Sequence, residues 1–259
     1  MTSSTFTPTA LLEAWEVQQT AFVEYRADRT RVMTDVLGAV AATLDHPLRV
    51  LDLGCGPGSV SNAVLAAIPD ATVVGVDRDP LLMRLFREST PYPDRVEVLD
   101  LDMASPGWTE GLPLGGFDAA VSATALHWLQ PGQLARLHIE VARVLHPGGV
   151  MLNADHLFFD ATAQPFLAAL APAERSRAEE RLTRAGAMSW DDWFSAAASM
   201  PGWQAEAEAH FAQRDHKVTL TKVDVAFHLA SMRAAGFTET AQIWQWLDDR
   251  VVFGRMPQH

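Results

Sequence analysis

A glycine-rich turn and two acidic residues in the first half of the chain form the pattern that most directly indicates a ligand-binding site. The stretch "VLDLGCGPGSV", residues 50–60, places the turn directly behind a short apolar run. Its glycines permit a tight turn and leave the backbone open to the close approach of a ligand. Asp52 precedes the turn, and Asp77 ends the next predicted strand. The order strand, turn, helix predicts a ligand cradle in an open α/β sheet, with Asp77 on the vicinal hydroxyls of a ribose.

Two classes of adenosine ligand compete for such a cradle. Nicotinamide dinucleotides are usually bound by the pattern G-x-G-x-x-G. This turn has the pattern G-x-G-x-G, and Ser59 occupies the position of the third glycine of that fingerprint. A carboxylate at Asp52 would repel a pyrophosphate and attract a cation. The residues therefore favour S-adenosylmethionine, which carries a sulfonium and an ammonium group.

Composition limits the remaining function classes. The 259 residues have a formal charge of −12, which disfavours a nucleic-acid partner. Cys55 is the only cysteine, so intramolecular disulfides are impossible and a cytoplasmic location is expected. The chain has no apolar run of the ~18 residues that a membrane span needs, and "MTSSTFTP" does not resemble a signal peptide. No membrane partner is expected, and the oligomeric state stays open.

The elements around the cradle alternate between strands and helices. Strands are predicted at 49–53, 71–77, 95–102, 117–123 and 150–156. Asp79 and Pro80 begin the helix after the second strand, Ser59 is expected to cap the helix after the glycine turn, and "HPGG" ends the helix 131–146. This rhythm predicts a doubly wound, mostly parallel α/β sheet of seven strands, similar to a Rossmann fold. "TETAQIWQWLD" and "RVVFGRM" predict a closing antiparallel hairpin, after "VTLTKVD" and a helix that Gly236 stops.

The chain is expected to divide into four parts. A helical arm at 1–47 has a frayed start at 1–10, and the cofactor-binding core follows at 48–157. A helical insertion at 158–215 caps the acceptor site, and 216–259 complete the sheet. Within the insertion, Ser189 and Asp192 have the spacing of a capping box. Its aromatic residues either line an acceptor pocket or pack the insertion onto the core, and packing is favoured for at least two of them; they are Trp190, Trp193, Phe194 and Trp203.

Five segments resemble, in order, the successive motifs of class I S-adenosylmethionine-dependent methyltransferases. They are "VLDLGCGPGS", "VVGVDRDP", "VEVLDLDM", "FDAAVSATALHWL" and "VLHPGGVML". The resemblance covers about residues 48–157, and "SATALHWL" is similar to the small-molecule branch that contains trans-aconitate methyltransferase. The chain lacks an "NPPY"-type sequence after the fourth strand, which argues against the nucleobase amino-methylating enzymes.

The resemblance implies a set of cofactor contacts. The residues expected against the methionine part are Asp52, Gly54, Cys55 and Gly56, with Cys55 as a packing residue and not a nucleophile. Asp77 is expected on the ribose and Arg78 against the adenine. Asp102 and the Met103 backbone are expected to read the adenine, with Asp100 as a competitor for the role of Asp102. The backbone oxygens of Ser122 and Ala123 would accept from the ammonium.

The arm offers two further contacts. Tyr25 or Arg26 could reach the cofactor carboxylate or an anionic substrate, if the arm closes over the cofactor as in related enzymes. The alternative is a helix that packs on the sheet and exposes a basic face.

Catalysis by a methyl donor needs mainly the in-line placement of a nucleophile. A general base is required only for an acceptor that arrives protonated, and His127 and His156 are the candidates. Each could instead simply pack at the edge of the sheet. No metal is expected, because the histidine spacing and the single cysteine match no zinc pattern.

The sequence thus predicts methyl transfer to an oxygen, nitrogen or carbon of a small molecule, with a carboxylate or hydroxyl oxygen favoured. A methyltransferase for tRNA or protein is one alternative, and the charge weighs against tRNA. A non-catalytic S-adenosylmethionine-binding module is the other. Release of S-adenosylhomocysteine with candidate acceptors would separate an enzyme from a binding module.

Overall fold

The structure is a computed structural model, and it describes residues 6–214 and 223–258. These residues form one sheet of seven strands in the order β3-β2-β1-β4-β5-β7-β6. The strands are β1 Arg49–Leu53, β2 Thr72–Asp77, β3 Val96–Asp100, β4 Phe117–Ala123, β5 Leu145–His156, β6 Glu239–Trp246 and β7 Asp249–Arg255. β1 to β5 run parallel, and β7 pairs antiparallel with both β5 and β6. The predicted Rossmann-like sheet and its closing hairpin are confirmed.

Helices cover both faces of this sheet. They are α1 Pro8–Phe22, α2 Arg26–Ala41, α3 Ser59–Ala67, α4 Pro80–Ser89, α5 Pro131–Val144, α6 Pro165–Arg184, α7 Trp190–Ala198, α8 Gln204–Arg214 and α9 Val225–Ala234. Because successive strand residues point to opposite faces, Val50 packs in the core with α2 and α3, and Leu51 packs in the core with α5 and α9. In the described residues, no helix combines the length and the apolar character that a membrane crossing requires.

A third apolar cluster joins the arm to the insertion. Trp193, Phe194 and Trp203 are buried in it together with Trp15 of α1 and residues of α4. The indole Nε1 of Trp193 donates a hydrogen bond of 2.9 Å to the carbonyl of Leu11. These three aromatic side chains therefore hold α7 and α8 to α1 and α4, which is the packing role favoured by the sequence.

The arm differs from the single helical stretch that its apolar spacing predicts. It consists of two helices that break at Val23, whose backbone leaves the helical region while its side chain is buried. Residues 1–5 lie outside the described residues, but the part of 1–10 that is described is helical from residue 8 and not frayed. The Thr7 hydroxyl accepts from the backbone N–H of Ala10, and Pro8 occupies the first turn, so α1 is capped from residue 8 onward.

Other boundaries shift by a few residues. Gly58 and not Ser59 caps α3, so Ser59 is the first helical residue. β3 ends at Asp100, which leaves Asp102 in the following turn. β5 begins at Leu145, directly after α5, so the segment "HPGG" lies inside the strand. The pairing of β4 with β5 is irregular at this point, where the register shifts. Most of "VTLTKVD" falls outside the described residues.

Candidate active site

The glycine-rich turn leaves the carboxyl end of β1 with three backbone conformations that favour glycine. Gly54, Gly56 and Gly58 have φ angles of +70°, +51° and +86°. A Cβ on Gly54 would lie 2.4 Å from the Cβ of Ala125, whereas one on Gly56 would meet only Leu82, at 3.9 Å. The turn is thus tightly packed at Gly54 and open at Gly56, where a ligand can approach the backbone.

Cys55 lies inside this turn with its thiol directed into the protein. Its side chain is buried beside Gly75 of β2, and its backbone N–H donates to the Val76 carbonyl at 3.0 Å. Burial raises the pKa of the Cys55 thiol well above its usual range, so the thiol stays protonated. Only the backbone of Cys55 is placed to contact a ligand.

Asp52 and Asp77 form the acidic side of the cradle. The Asp52 carboxylate accepts from the Ser61 hydroxyl at 2.6 Å, and burial raises its pKa to about 7. The Asp77 carboxylate accepts from the backbone N–H groups of Gly56, Arg78 and Asp79 at 2.8, 2.7 and 2.9 Å. Burial also raises the pKa of Asp77.

These two acids test whether S-adenosylmethionine suits the site. Within the described residues, neither carboxylate takes part in a salt bridge, and the partners found for both are neutral donors. Two buried acids without a cation are costly unless a ligand compensates them. A ligand with a positive charge and ribose hydroxyls supplies both a cation and hydrogen-bond donors, so the residues fit this cofactor.

The residues expected around the adenine lie at the ends of β2 and β3. The Arg78 guanidinium is 3.8 Å from Oδ1 of Asp102. The Asp102 carboxylate also accepts from the Ala104 N–H and the Ser105 hydroxyl, at 3.0 and 3.1 Å, so it shapes its own turn. Met103 packs against the core and lies near Gly54. Asp100 pairs in register with Asp77 and is exposed.

The end of β4 carries Ser122 and Ala123 toward the same edge. The buried Ser122 hydroxyl donates to the Leu53 carbonyl at 2.7 Å and joins β4 to β1. The next residue, Thr124, has a φ of +53°, which is strained for a β-branched side chain. Its N–H donates to the Ala154 carbonyl at 2.8 Å. Strain of this kind concentrates at functional sites, and no pattern around Thr124 predicts it.

The arm reaches the glycine-rich turn through Glu16, with which Arg26 is paired. Arg26 forms an ion pair with Glu16, and the second oxygen of Glu16 accepts from the Ser59 hydroxyl at the start of α3. The Tyr25 ring packs instead on Trp246 of the hairpin, at 4.7 Å between centroids. Of these two predicted residues, the structure links only Arg26 to the glycine-rich turn.

His127 and Asp155 form a dyad between the ends of β4 and β5. Nδ1 of His127 lies 2.7 Å from Oδ1 of Asp155, whose Oδ2 accepts from the His127 backbone N–H at 3.0 Å. Burial opposes a charged imidazole, but the charge of Asp155 and its hydrogen bond outweigh burial and raise the pKa of His127. Burial likewise opposes the ionised Asp155, yet the charge of His127 lowers its pKa to about 2. Nε2 of His127 is left as the nitrogen that can exchange a proton with a ligand.

His156 occupies a cleft beside this dyad. Its backbone N–H donates to Oδ1 of Asp155 at 2.8 Å, so one carboxylate positions both predicted histidines. Nδ1 of His156 lies 3.4 Å from Arg175 and 3.7 Å from Asp248. Arg175 is paired with Asp248 at 2.6 Å. The ring of His156 is therefore surrounded by a cation and an acid.

Several residues of this edge were missed by the sequence reasoning. Asp155 directly precedes His156, so an acid at the end of a strand next to a predicted base was a usable signal. Arg29 and Asp249 form a buried ion pair at 2.7 Å across 220 positions of sequence, and no local pattern indicates it. Glu16 is a further example, because only the folded arm brings it to Ser59.

Comparison with known proteins identifies this arrangement. A family model described as a methyltransferase domain matches residues 50–149. A trans-aconitate 2-methyltransferase from Methylobacterium nodulans is 30% identical over 196 residues, which cover 71% of this chain and 68% of that protein. The chain belongs to the class I S-adenosylmethionine-dependent methyltransferases. Its cofactor is therefore S-adenosylmethionine, as the glycine turn and its acids predict.

Two further matches place this methyltransferase in context. A trans-aconitate 2-methyltransferase from Azoarcus sp. is 32% identical over 170 residues, and the match spans 62% of each protein. The structure of the apo S-adenosylmethionine-dependent methyltransferase SibL superposes with a TM-score of 0.54 at 20% identity, over 88% of this chain and 56% of that one. At this identity the second match shows the fold alone. The matched segment is about three fifths of the Azoarcus protein's length.

Proposed function

We propose that this methyltransferase transfers a methyl group to an oxygen of a small organic acceptor at the carboxyl edge of β4 and β5. The cofactor supplies an electrophilic methyl group on its sulfonium. Asp52, Asp77 and the open backbone at Gly56 would hold the cofactor, with Arg26 near its carboxylate. The acceptor would lie beside His127 and His156, on the side of the cleft that α6 and the β6–β7 hairpin border.

One observation carries the proposal, namely the hydrogen bond between Nδ1 of His127 and Asp155. An imidazole whose Nδ1–H is fixed by a buried carboxylate presents Nε2 as the accepting nitrogen. Such a group takes the proton of a hydroxyl while its oxygen attacks, and Asp155 stabilises the resulting imidazolium. In this proposal, His127 acts as the base and Asp155 is its positioning residue.

A carboxylate acceptor needs different groups in the site from those that a hydroxyl acceptor needs. A carboxylate is already ionised at neutral pH and needs no base, but it needs a cation for orientation. Arg175 lines the cleft and is paired with Asp248, whereas the buried Arg29 lies behind the cleft wall and is paired with Asp249. A carboxylate would therefore compete with Asp248 for Arg175. The dyad favours a hydroxyl acceptor, and the similarity to trans-aconitate 2-methyltransferases favours a carboxylate.

The cleft beside His156 measures only about 20 Å³. Small-molecule sites typically have roughly 300 Å³ or more, so an acceptor requires displacement of the elements around it. Its walls come from α6 and the hairpin, through Arg175, Ala178 and Trp246, with Val23 from the arm. These are the segments that must move for the acceptor to enter.

A screen of small carboxylates and phenols tests the proposal directly. The wild-type protein is incubated with S-adenosylmethionine, and S-adenosylhomocysteine release and the methylated product are measured by mass spectrometry. His127→Gln should lower kcat for a hydroxyl acceptor by roughly 10²–10⁴-fold. Arg175→Gln, the matched change on the opposite wall, should instead raise KM for a carboxylate acceptor.

The same screen can contradict the proposal. Cofactor binding without turnover on any oxygen acceptor, together with methylation of an amine or a carbon acid, would refute oxygen methylation. Unchanged kcat in His127→Gln with a hydroxyl acceptor would remove His127 from the role of base. Binding of S-adenosylhomocysteine by each variant, measured by calorimetry, shows that the variants are folded.

A further inference from the structure

A cluster of two histidines and an aspartate lies at the amino edge of the sheet, opposite the candidate active site. His46 precedes β1, Asp118 is the second residue of β4, and His146 is the second residue of β5. One nitrogen of each histidine and an oxygen of Asp118 lie within 4.8 Å of one another. The Asp118 side chain is buried, at 3% exposure, whereas those of His46 and His146 are 47% and 40% exposed. The cluster is therefore anchored on a buried acid and open to solvent.

Each ring nitrogen of the two imidazoles faces an oxygen atom. Nδ1 of His46 lies 3.0 Å from the Asp45 carboxylate, and Nε2 of His146 lies 2.7 Å from the Gly115 carbonyl. Both of these oxygens only accept, so each of these two nitrogens carries a hydrogen. When the rings are neutral, Nε2 of His46 and Nδ1 of His146 face Oδ1 of Asp118 as bare lone pairs, at 3.2 and 2.9 Å. Either a second proton on each ring or a metal ion bound among the three atoms satisfies this arrangement of acceptors.

The two separations that involve Asp118 are compatible with a metal ion. In a tetrahedral site with metal–ligand bonds of about 2.0–2.2 Å, neighbouring ligand atoms are about 3.3 Å apart. The observed separations of 2.9 and 3.2 Å between Asp118 and the two nitrogens differ from this by only a few tenths of an ångström. The outer contacts to Asp45 and Gly115 are those that fix a metal-binding imidazole in the required tautomer. The Asp118 carboxylate is itself oriented by the Arg49 backbone N–H, at 2.8 Å.

We propose that His46, Asp118 and His146 form a binding site for a divalent transition-metal ion of the zinc class. Two imidazole nitrogens and one carboxylate oxygen suit such ions, and solvent can complete the coordination. With neutral histidines, Asp45 and Asp118 contribute two negative charges and the nearby Arg49 one positive charge, so a dication is electrostatically favoured. The ion would tie the segment before β1 to the amino ends of β4 and β5. Its role at this distance from the cofactor site is to stabilise the sheet.

Calorimetric titration of the chelator-treated protein with ZnCl₂ at neutral pH tests the site. We expect a single saturable equivalent, release of protons that depends on the buffer, and a higher Tm with zinc. Asp45→Asn keeps all three ligands and should weaken zinc binding by roughly 10–100-fold. His46→Gln and His146→Gln each remove a ligand and should weaken it further. Asp35→Asn changes an exposed acid of α2 outside the cluster and should bind zinc as the wild type does.

Three results would overturn the proposal. The first is the absence of a saturable equivalent of zinc. The second is zinc binding that survives in both His46→Gln and His146→Gln, since the ion would then be bound elsewhere. The third is a pair of imidazoles that NMR shows to be doubly protonated at neutral pH and that zinc does not deprotonate, because protons alone would then satisfy the cluster. Binding of S-adenosylhomocysteine provides the check that each variant is folded, since the cofactor site lies at the opposite edge.

Discussion

The buried carboxylate of Asp155 holds His127 by two contacts, one to the backbone N–H and one to Nδ1 of the ring, at 3.0 and 2.7 Å. This double contact fixes both the position of the residue and the rotation of its side chain. The same carboxylate accepts from the His156 backbone at 2.8 Å. Asp155 thus determines how the ends of β4 and β5 present their histidines. The acidic limb of the pH–rate profile should depend on this residue.

For a hydroxyl acceptor, the rate of the wild-type enzyme should fall as pH decreases through the raised pKa of His127. In the proposed reaction neutral His127 is the base, so a raised pKa makes the loss of rate begin above the ordinary histidine value of about 6.5. Asp155→Asn removes the charge that raises this pKa, and the acidic limb should move to lower pH with a reduced kcat. Measurement of kcat against pH with both proteins checks this. An identical acidic limb in the two proteins would show that His127 does not control the rate.

The sequence predicted the parallel core because strands and helices alternate along residues 48–157. β1 and β4 were predicted to the residue, and Asp79 caps α4 as expected. The break at Val23 was not predicted, since the helical pattern of the arm continues across it, whereas in the fold Val23 leaves the helical conformation and its side chain is buried. Tertiary packing decides such breaks, and a single sequence does not contain it.

Local motifs likewise predicted one half of the candidate site better than the other. The glycine turn, Asp52 and Asp77 lie within a span of 26 residues, so the sequence spacing is enough to predict that they lie close together. The acceptor side depends on pairs such as Arg29 with Asp249 and Arg175 with Asp248, which are distant in sequence. A charged residue in a helix is predicted to be exposed unless the residue that pairs with its charge is known. That is why Arg29, only 1% exposed, escaped the sequence analysis.

Gly54→Ala should reduce both stability and cofactor affinity. The new Cβ would lie 2.4 Å from the Cβ of Ala125 in a residue with a φ of +70°. The left-handed conformation alone costs roughly 1–2 kcal/mol for a residue with a side chain, and the clash adds to it. Gly38→Ala is the matched control, because nothing lies within 4 Å of its Cβ position inside α2. This control should be stabilised by up to about 1 kcal/mol and should bind S-adenosylhomocysteine normally. Urea unfolding and calorimetry measure the two effects, and equal behaviour of the two variants would contradict the packing argument.

Affinity for S-adenosylmethionine should rise as pH increases through the pKa of Asp52. Burial raises this pKa to about 7, and only the ionised carboxylate attracts the positive charges of the cofactor. Asp52→Asn should bind the cofactor more weakly, without this pH dependence. The effect should be larger for S-adenosylmethionine than for S-adenosylhomocysteine, which lacks the sulfonium charge. Calorimetry with both ligands across this range is the measurement, and a pH-independent affinity in the wild type would contradict it.

Asp52 should also lower the free energy of unfolding in the absence of cofactor. Its pKa in the folded protein, about 7, exceeds the unfolded value of about 3.9, so the unfolded state ionises first as pH rises. The destabilisation grows from about pH 4 to pH 7 and is complete above that range. Asp52→Asn retains an acceptor for Ser61 and should therefore raise the free energy of unfolding at alkaline pH, by an order of a few kcal/mol. A variant that is less stable than the wild type at alkaline pH would show that the charge is compensated.

Two buried histidines lie outside the site, His138 of α5 and His228 of α9. Their ring centroids are 5.6 Å apart, and Nδ1 of His138 lies 2.8 Å from the Ser231 hydroxyl. Burial lowers the pKa of His138 to about 3, assisted by the charge that His228 would carry. Burial also lowers the pKa of His228 to about 4. Both imidazoles are therefore neutral in the folded protein at neutral pH.

These depressed pKa values make the fold sensitive to mild acid. Above about pH 6.5 both histidines are neutral in the folded and unfolded states, and their contribution to stability is fully present. As pH falls below that value, the unfolded chain takes up protons that the folded protein cannot accept until about pH 4, so the free energy of unfolding decreases. His228→Gln removes one of these groups, so its stability should decline less steeply than that of the wild type. Urea unfolding at several pH values between these limits measures the difference in slope, and parallel curves for the two proteins would show that His228 is not buried in its neutral form.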